Sequence, residues 1–410
     1  MSVMNNKTFS GAFMENLTIR DLNFSGKKAL VRVDFNVPIN EETGTINDDS
    51  RIRAAIPTID YLLDHQAKVI LCSHLGRPDG MIVESMRLAP VAKRLSEILR
   101  QEVFTASDCI GDEVAAKVDA LEDSQVLLLE NLRFHPEEEA NDPIFAKKLA
   151  DLADIYVDDA FGTAHRKHAS IVGVAKYLPA VAGLLLEKEL NALGKVLEHP
   201  PRPFMILLGG AKVSDKVGML ENVMDKVDTI LIGGGMAATF LKAQGLEIGD
   251  SLIDDSLDTA KMLMDKAKSK NVKIILPDDV LVTFDKIGPE ARAENVSVEN
   301  IPHTAKIVDI GLLTITHFTK HLEKCKTVFW NGPMGIYEIP QFSEGTRAMV
   351  NTMTRLHATT IIGGGSTAEI VTELNIASKM SFVSTGGGAS LKFLSGEKLP
   401  GVEVLAKKNE

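Results

Sequence analysis

Cysteine is scarce in this chain: Cys72, Cys109 and Cys325 lie far apart and show no C-x-x-C spacing. Such an odd trio excludes a disulfide scaffold, argues against structural zinc and suits reduced thiols in a cytosolic setting. An excess of positive charge is also lacking. Against 45 lysines and arginines stand 56 acidic residues, a formal balance of −11, which argues against a general affinity for nucleic acid or anionic membranes. Any anion site must therefore be local. No apolar stretch is long enough to span a bilayer, and Met1 to Leu17 carries one lysine and no apolar core of signal-peptide length. A soluble, cytoplasmic and monomeric protein is expected, with a mobile polar opening.

What is present is enough chain for two or three domains: 410 residues, 45% of them hydrophobic. From Lys28 onward, short apolar runs alternate with helical periodicity, which predicts an α/β fold with mostly parallel sheets. The stretch Phe204 to Lys216, FMILLGGAKVSDK, shows the pattern most clearly. A continuous apolar run reads as a strand buried on both faces, and Gly209 and Gly210 turn the chain without a Cβ to keep a ligand away. A helix starting near Val213 would place Lys212 and Lys216 on one side, close to an anion-friendly N-terminus. The segment is not a Walker A loop, and a plain strand-to-helix turn with solvated lysines fits the same residues.

In the first half, polar groups follow each apolar run. Ala29 to Val33 leads into Asp34 and Asn36, and Lys68 to Cys72 leads into His74 and Arg77. Val126 to Leu129 leads into Arg133, and Ile155 to Val157 into Arg166. Open α/β sheets bind ligands at that edge. Asp49 or Ser50 can cap a helix with Ile52, Ala55, Ile59 and Leu62 on its sheet-facing side and Pro57 as a potential kink. Arg51 and Arg53 would sit in its first turn, where cations oppose the dipole and an anion partner would relieve them. Arg51, His74, Arg77, Arg133 and Arg166 could build a basic pocket for a small polyanion. Separate salt bridges and strand-end turns remain the alternative.

Pro179 and the PPRP run at Pro200 to Pro203 bound one long helix with Leu186, Leu190, Leu193 and Leu197 in a stripe, read as the link between domains. The expected division is residues 1–182 with a returning tail 396–410, a helix 183–199, and a second domain 200–395. Beyond that helix, glycines take the place of arginines at strand exits: Gly209-Gly210, Gly233 to Gly235, Gly363 to Gly365 and Gly386 to Gly388. GGGMAA at Gly233 and GGGSTA at Gly363 fit a loose dinucleotide pattern. Asp254 and Asp255 fall near the distance of a ribose carboxylate but follow no convincing strand.

Taken together, VRVDFNVP at Val31, SHLGRP at Ser73, ENLRFHPEE at Glu130, DAFGTAHR at Asp159, GGAKVSDK at Gly209 and WNGPMGIYE at Trp330 closely resemble the phosphoglycerate kinase family. The resemblance runs from about Leu17 to Val402. It implies two Rossmann-like domains joined by a long helix, the first for 3-phosphoglycerate and the second for ATP or ADP with Mg2+, and in-line phosphoryl transfer after domain closure. It assigns Asp34, Asn36, Arg51, His74, Arg77, Arg133 and Arg166 to 3-phosphoglycerate. To the nucleotide it assigns Gly210, Lys212, Lys216, Gly234, Gly311, Asn331, Glu338, Gly364, Gly365, Ser366 and Thr367. Arg51, Lys212, Lys216, Gly365 and Gly388 would surround the transferring phosphoryl group. His74 is expected as a ligand and His165 as a packed or hydrogen-bonded loop residue.

The chain departs from the family's pattern in three places. Ser366 stands where the nucleotide loop usually has a metal-side aspartate, Leu312 where a proline follows Gly311, and Lys392 where a glutamate follows GGGASL. Ser366 is therefore a weak metal candidate or a plain helix cap. Two other functions fit parts of the pattern, a nicotinamide-dependent dehydrogenase and a non-catalytic two-lobed anion-binding protein. The first lacks its ribose carboxylate and the second an export signal.

Overall fold

In a computed structural model, residues 16–40 and 43–408 are described, so the expected mobile opening lies almost wholly outside the described residues. The chain divides into two units, residues 1–194 with 398–410, and residues 195–397. The long helix, Leu184–Glu198, contains the division within it.

The first unit is built on β1 (Lys28–Arg32), β2 (Lys68–Cys72), β3 (Val103–Thr105), β4 (Val126–Leu128), β5 (Ile155–Asp158) and β6 (Ala180–Ala182). They form one sheet in the order β3-β4-β2-β1-β5-β6, and every pair in it is parallel. Because helices cover such a sheet, its strands are apolar throughout: Val31, Val69, Leu71, Val126 and Val157 all belong to one core. The strand order reverses around β1, so the exits of β1, β2, β4 and β5 open toward one edge, where ligands bind in sheets of this type. The end of the chain joins this unit, since the Leu17 N–H donates to Ala406 O at 2.8 Å and the Ala406 N–H to Ala180 O at 2.9 Å.

The second unit repeats the plan with β7 (Phe204–Leu208), β8 (Thr229–Ile232), β9 (Lys273–Ile275), β13 (Thr327–Asn331), β14 (Thr359–Gly363) and β15 (Phe382–Val383), in the order β15-β14-β13-β7-β8-β9. All five residues of β7 are buried, as its unbroken apolar run requires. One element is absent from the sequence reading: β10 (Asp279–Thr283), β11 (Glu294–Ser297) and β12 (Lys306–Ile310) form a separate antiparallel sheet in the order β11-β10-β12. Its edge strand β11 is mostly exposed, so a hydrophobic run does not reveal it.

Local expectations are corrected at two helix starts. The helix Ser50–Asp64 runs through Pro57, but the side chain of its N-cap, Asp49, makes no capping bond. That carboxylate instead binds Arg53 at 2.9 Å and Arg94 at 2.7 Å. The helix expected near Val213 begins only at Val217, because Lys216 N–H closes a turn on Val213 O at 2.9 Å and Asp254 accepts from Ser214 N–H at 3.1 Å. Lys212 thus lies in an irregular turn and Lys216 at the N-cap, not along one helical face.

The buried end of β5 couples stability to pH. Asp159 Oδ1 accepts the Leu185 and Leu186 N–H groups at 2.8 and 3.3 Å, fixing the start of the long helix. Burial pushes the carboxyl of Asp159 up to about 8 and that of Asp158 up to about 6. In both, the folded state keeps a proton that the unfolded chain releases near pH 4. Their stabilising contribution is thus present below that pH and lost as pH rises through 6 and 8. Urea unfolding is expected to give a lower free energy at about pH 8.5 than at about pH 5.5, by about 1 kcal/mol or more, and a shallower slope in Asp159→Asn. An equal slope in the variant would remove Asp159 as the source.

Candidate active site

At the ligand edge of the first unit, a pocket of about 570 Å³ brings together Arg77, Arg133 and Arg166, with His135, His165, Asp79 and Glu139 also in its wall. The three arginines come from the exits of β2, β4 and β5, and the parallel order of those strands assembles them. They are not equivalent. Arg133 is buried, donates Nη1 to Gly76 O at 2.7 Å and pairs through Nε with Glu139 at 2.9 Å. Among the described residues, neither Arg77 nor Arg166 is paired with a carboxylate, so two guanidinium forks remain for an anion. His165, read from sequence as a packed or hydrogen-bonded loop residue, is half-buried and also lines the pocket.

Around Arg133 the other candidates are locked in a polar network. Gly76 is held from both sides, since its carbonyl takes Arg133 and its N–H donates to Asn36 Oδ1 at 2.9 Å. Arg51 Nη1 donates to Asp34 Oδ2 at 2.9 Å, which answers the unfavourable position of an arginine at a helix start. Arg53 finds Asp49 and has no such role. His74 is buried, and burial together with the Arg32, Arg133 and Arg51 guanidinium groups holds its imidazole well below the ordinary histidine range. It is neutral at pH 7. Its Nδ1 lies 3.2 Å from Arg32 Nη2, and because a guanidinium can only donate, Nδ1 accepts and the proton sits on Nε2. The 3.9 Å approach of Nδ1 to Asp34 is therefore no ion pair.

Sequence reasoning missed Arg32, the residue that sets this tautomer. It lies inside β1, where a hydrophobic period predicts only core, yet it is 1% exposed and donates Nε to Ser170 Oγ at 2.9 Å. Ser170 in turn donates to the buried Glu138 at 2.6 Å, so the charge is compensated within the unit. Ser170 stands 138 residues away, beyond the reach of any local pattern.

In the second unit, the glycine turns and Asn331 meet at the exits of β7, β8, β13 and β14. Gly234 has φ +62°, and a Cβ there would lie 2.6 Å from Gly210 N and 2.8 Å from Pro333 O. Gly364 has φ +95°, and its Cβ would come within 2.9 Å of Asn331 Nδ2. Both turns thus require glycine, for backbone angle and for space. Lys216 Nζ is hydrogen-bonded to Asn331 Oδ1, and burial, partly offset by Asp215, holds its ammonium below the usual lysine range. Asn331 Nδ2 is buried without a partner among the described residues, an orphaned donor beside the Gly364 turn. Thr367 is buried and accepts the Gly332 N–H at 2.7 Å, tying the β13 and β14 exits together.

The helix Gly365–Glu373 starts with Gly364 as N-cap, and nothing crowds a Cβ placed on Gly365. Ser366 is exposed at the second helical position, so it is not the cap. Gly388 occupies the same position in the helix Gly387–Leu394 and is also exposed. Lys212 and Glu338 are exposed in turns. Gly311 caps the helix Leu312–Leu322, where its Cβ would strike the Asp279 carboxylate at 2.3 Å, and Leu312 in the absent proline's place is 58% exposed. Asp254 follows no strand and is engaged by Ser214 and Ser256, so it does not sit as a ribose carboxylate at a strand end would.

Known proteins are similar to this chain over nearly its whole length. The family model described as phosphoglycerate kinase matches residues 19–397. A phosphoglycerate kinase of Microcystis aeruginosa is 55% identical over 395 residues, covering 95% of this chain and 98% of its own. One of Pelotomaculum thermopropionicum is 52% identical over 396 residues, covering 96% and 100%. Among solved structures, phosphoglycerate kinase from Coxiella burnetii gives a TM-score of 0.82 at 40% identity, covering 95% of this chain and 98% of its own. The enzyme from Pyrococcus horikoshii gives 0.84 at 32% identity, with the same shares. With two parallel sheets, an arginine-lined exit on one and glycine turns on the other, and matches that span both, the chain belongs to the phosphoglycerate kinase family.

Proposed function

We propose that the arginine pocket of the first unit binds 3-phosphoglycerate and the glycine turns of the second bind ATP or ADP, in a cytoplasmic enzyme. The activity itself, reversible phosphoryl transfer between ATP and 3-phosphoglycerate, is that of the family. The observation that carries the assignment is the pair of uncommitted guanidiniums, Arg77 and Arg166, on one pocket wall. A phosphate offers the oxygens they need, while Asn36 and the Nε2–H of His74 are suited to the rest of the acceptor. Since that acceptor is a carboxylate, already ionised at neutral pH, no general base is required and His74 serves as a neutral donor. Catalysis then reduces to alignment and charge neutralisation. Lys216, oriented by Asn331, meets the nucleotide's phosphates, and Gly365 and Gly388 offer backbone N–H groups at helix starts.

Arg166→Ala is expected to raise KM for 3-phosphoglycerate about tenfold or more, consistent with loss of one charged contact, and to leave KM for ATP within about twofold. Gly364→Ala is expected to do the reverse. If both variants shift both constants equally, two separate sites do not exist.

Magnesium, when bound, would neutralise charge on the nucleotide's phosphates. The protein's own donor at the usual aspartate position is the exposed, neutral hydroxyl of Ser366, which fits a cation held mainly by phosphate oxygens and water. Ser366→Asp should then lower the magnesium concentration for half-maximal rate at fixed ADP, by about threefold to tenfold if the added carboxylate reaches the ion. The half-saturating concentration of 3-phosphoglycerate should not move. Superimposable magnesium titrations would show that the metal does not depend on position 366.

A further inference from the structure

A further cluster of ligating side chains in the first unit adjoins the arginine pocket, whose wall includes His135, and none of its three members is assigned a step in phosphoryl transfer. Asp108 and Cys109 follow β3, where the Glu130 N–H reaches Asp108 O at 3.3 Å, and His135 follows the short turn Leu132–Phe134. One ligand atom from each of Asp108, Cys109 and His135 lies within 4.8 Å of the others. His135 Nε2 is 2.7 Å from Asp108 Oδ1, and that same oxygen accepts the Cys109 N–H at 2.6 Å. Cys109 is a free, fully buried thiol, while the side chains of Asp108 and His135 are 46% and 26% exposed. The sulfur therefore forms the floor of a cluster whose mouth reaches solvent.

We propose that Asp108, Cys109 and His135 form a binding site for a borderline-soft divalent cation of the zinc class. A thiolate, an imidazole and one carboxylate are the donors that such ions take, whereas magnesium and calcium take oxygen sets, so the nucleotide's metal does not compete for this place. Two features hold the donors ready. The Cys109 N–H fixes the carboxylate, and Phe145 packs beside the imidazole with ring centroids 5.2 Å apart. On binding, metal bonds replace the contact between His135 and Asp108, the thiol proton leaves to solvent, and neutral His135 carries its proton on Nδ1. Three protein ligands leave one tetrahedral position for water at the open mouth. The sequence argued against zinc because it has no C-x-x-C pair, but two of these ligands are adjacent and the third lies 27 residues from Asp108.

The test uses the full chain, stripped with a chelator and titrated anaerobically with Co2+. One equivalent per chain is expected to produce an intense thiolate-to-cobalt charge-transfer band with tetrahedral visible bands, and Zn2+ should displace them. Zn2+ should also raise the melting temperature by mass action. Cys109→Ser should abolish the charge-transfer band. His135→Gln, which keeps the thiol and carries the test if Cys109→Ser does not fold, should weaken cobalt binding at least about tenfold, as loss of a metal ligand does. Absence of the band in excess cobalt overturns the site. So does a band undiminished in Cys109→Ser, which would place the metal on Cys72 or Cys325, or a cobalt affinity unchanged in His135→Gln, which would remove the imidazole from the site.

Discussion

Arg51→Ala is expected to lower kcat by about two orders of magnitude or more while KM for 3-phosphoglycerate changes about threefold or less, the pattern of an interaction made chiefly in the transition state. Its guanidinium is held by Asp34 through one nitrogen at 2.9 Å, and 30% of the side chain remains exposed. A fork held in this way has donors left over and little freedom to lose when charge develops beside it. The loss corresponds to roughly 3 kcal/mol, comparable to removing one preorganised donor from a developing oxyanion. Asp34→Asn, which keeps a hydrogen-bond acceptor but removes the charge, should cost less. Steady-state kinetics decide the matter. A rise in KM alone would make Arg51 a binding residue.

Lys216→Met should be the other severe variant, with kcat reduced by about a hundredfold and the fold retained. The lysine is half-buried, and desolvation holds its ammonium below the usual lysine range, which an anionic phosphoryl group would reverse. Methionine has a similar length and no charge, so packing is preserved and the electrostatic contribution is removed. Asn331→Ala should lie between wild type and Lys216→Met, because it frees the ammonium without removing it. Equal losses in the single and double variants would show the two acting as one unit. Full activity in Lys216→Met, with circular dichroism unchanged, would exclude the lysine from transfer.

Much of this architecture was legible from residues in a row. Phe204 to Leu208 and Lys68 to Cys72 announce strands buried on both faces, because only a sheet covered by helices can hide every side chain of an apolar run. The glycine pairs and triplets after β7, β8 and β14 announce close backbone approach, and Gly234 and Gly364 are left-handed and crowded as that requires. The segment GLEIGDSLI lacks a strand pattern, and it forms no strand. These features depend on side-chain period and backbone sterics, which are local.

Other features were decided only when distant segments met. The sequence presents Arg77, Arg133 and Arg166 as equals, but Glu139 and the Gly76 carbonyl engage Arg133 and leave the other two for a ligand. Arg32 looks like a lapse in a core strand until Ser170, 138 residues later, and His74, 42 residues later, close around it and set the imidazole's tautomer. The helix after Gly210 starts four residues later than its pattern suggests because Asp254 captures the turn at Ser214. Composition and period determine which segments are buried and which way a sheet is covered. Which charges pair, which nitrogen holds a proton and which donor stays available depend on distances of about 3 Å between residues that only the folded chain brings together.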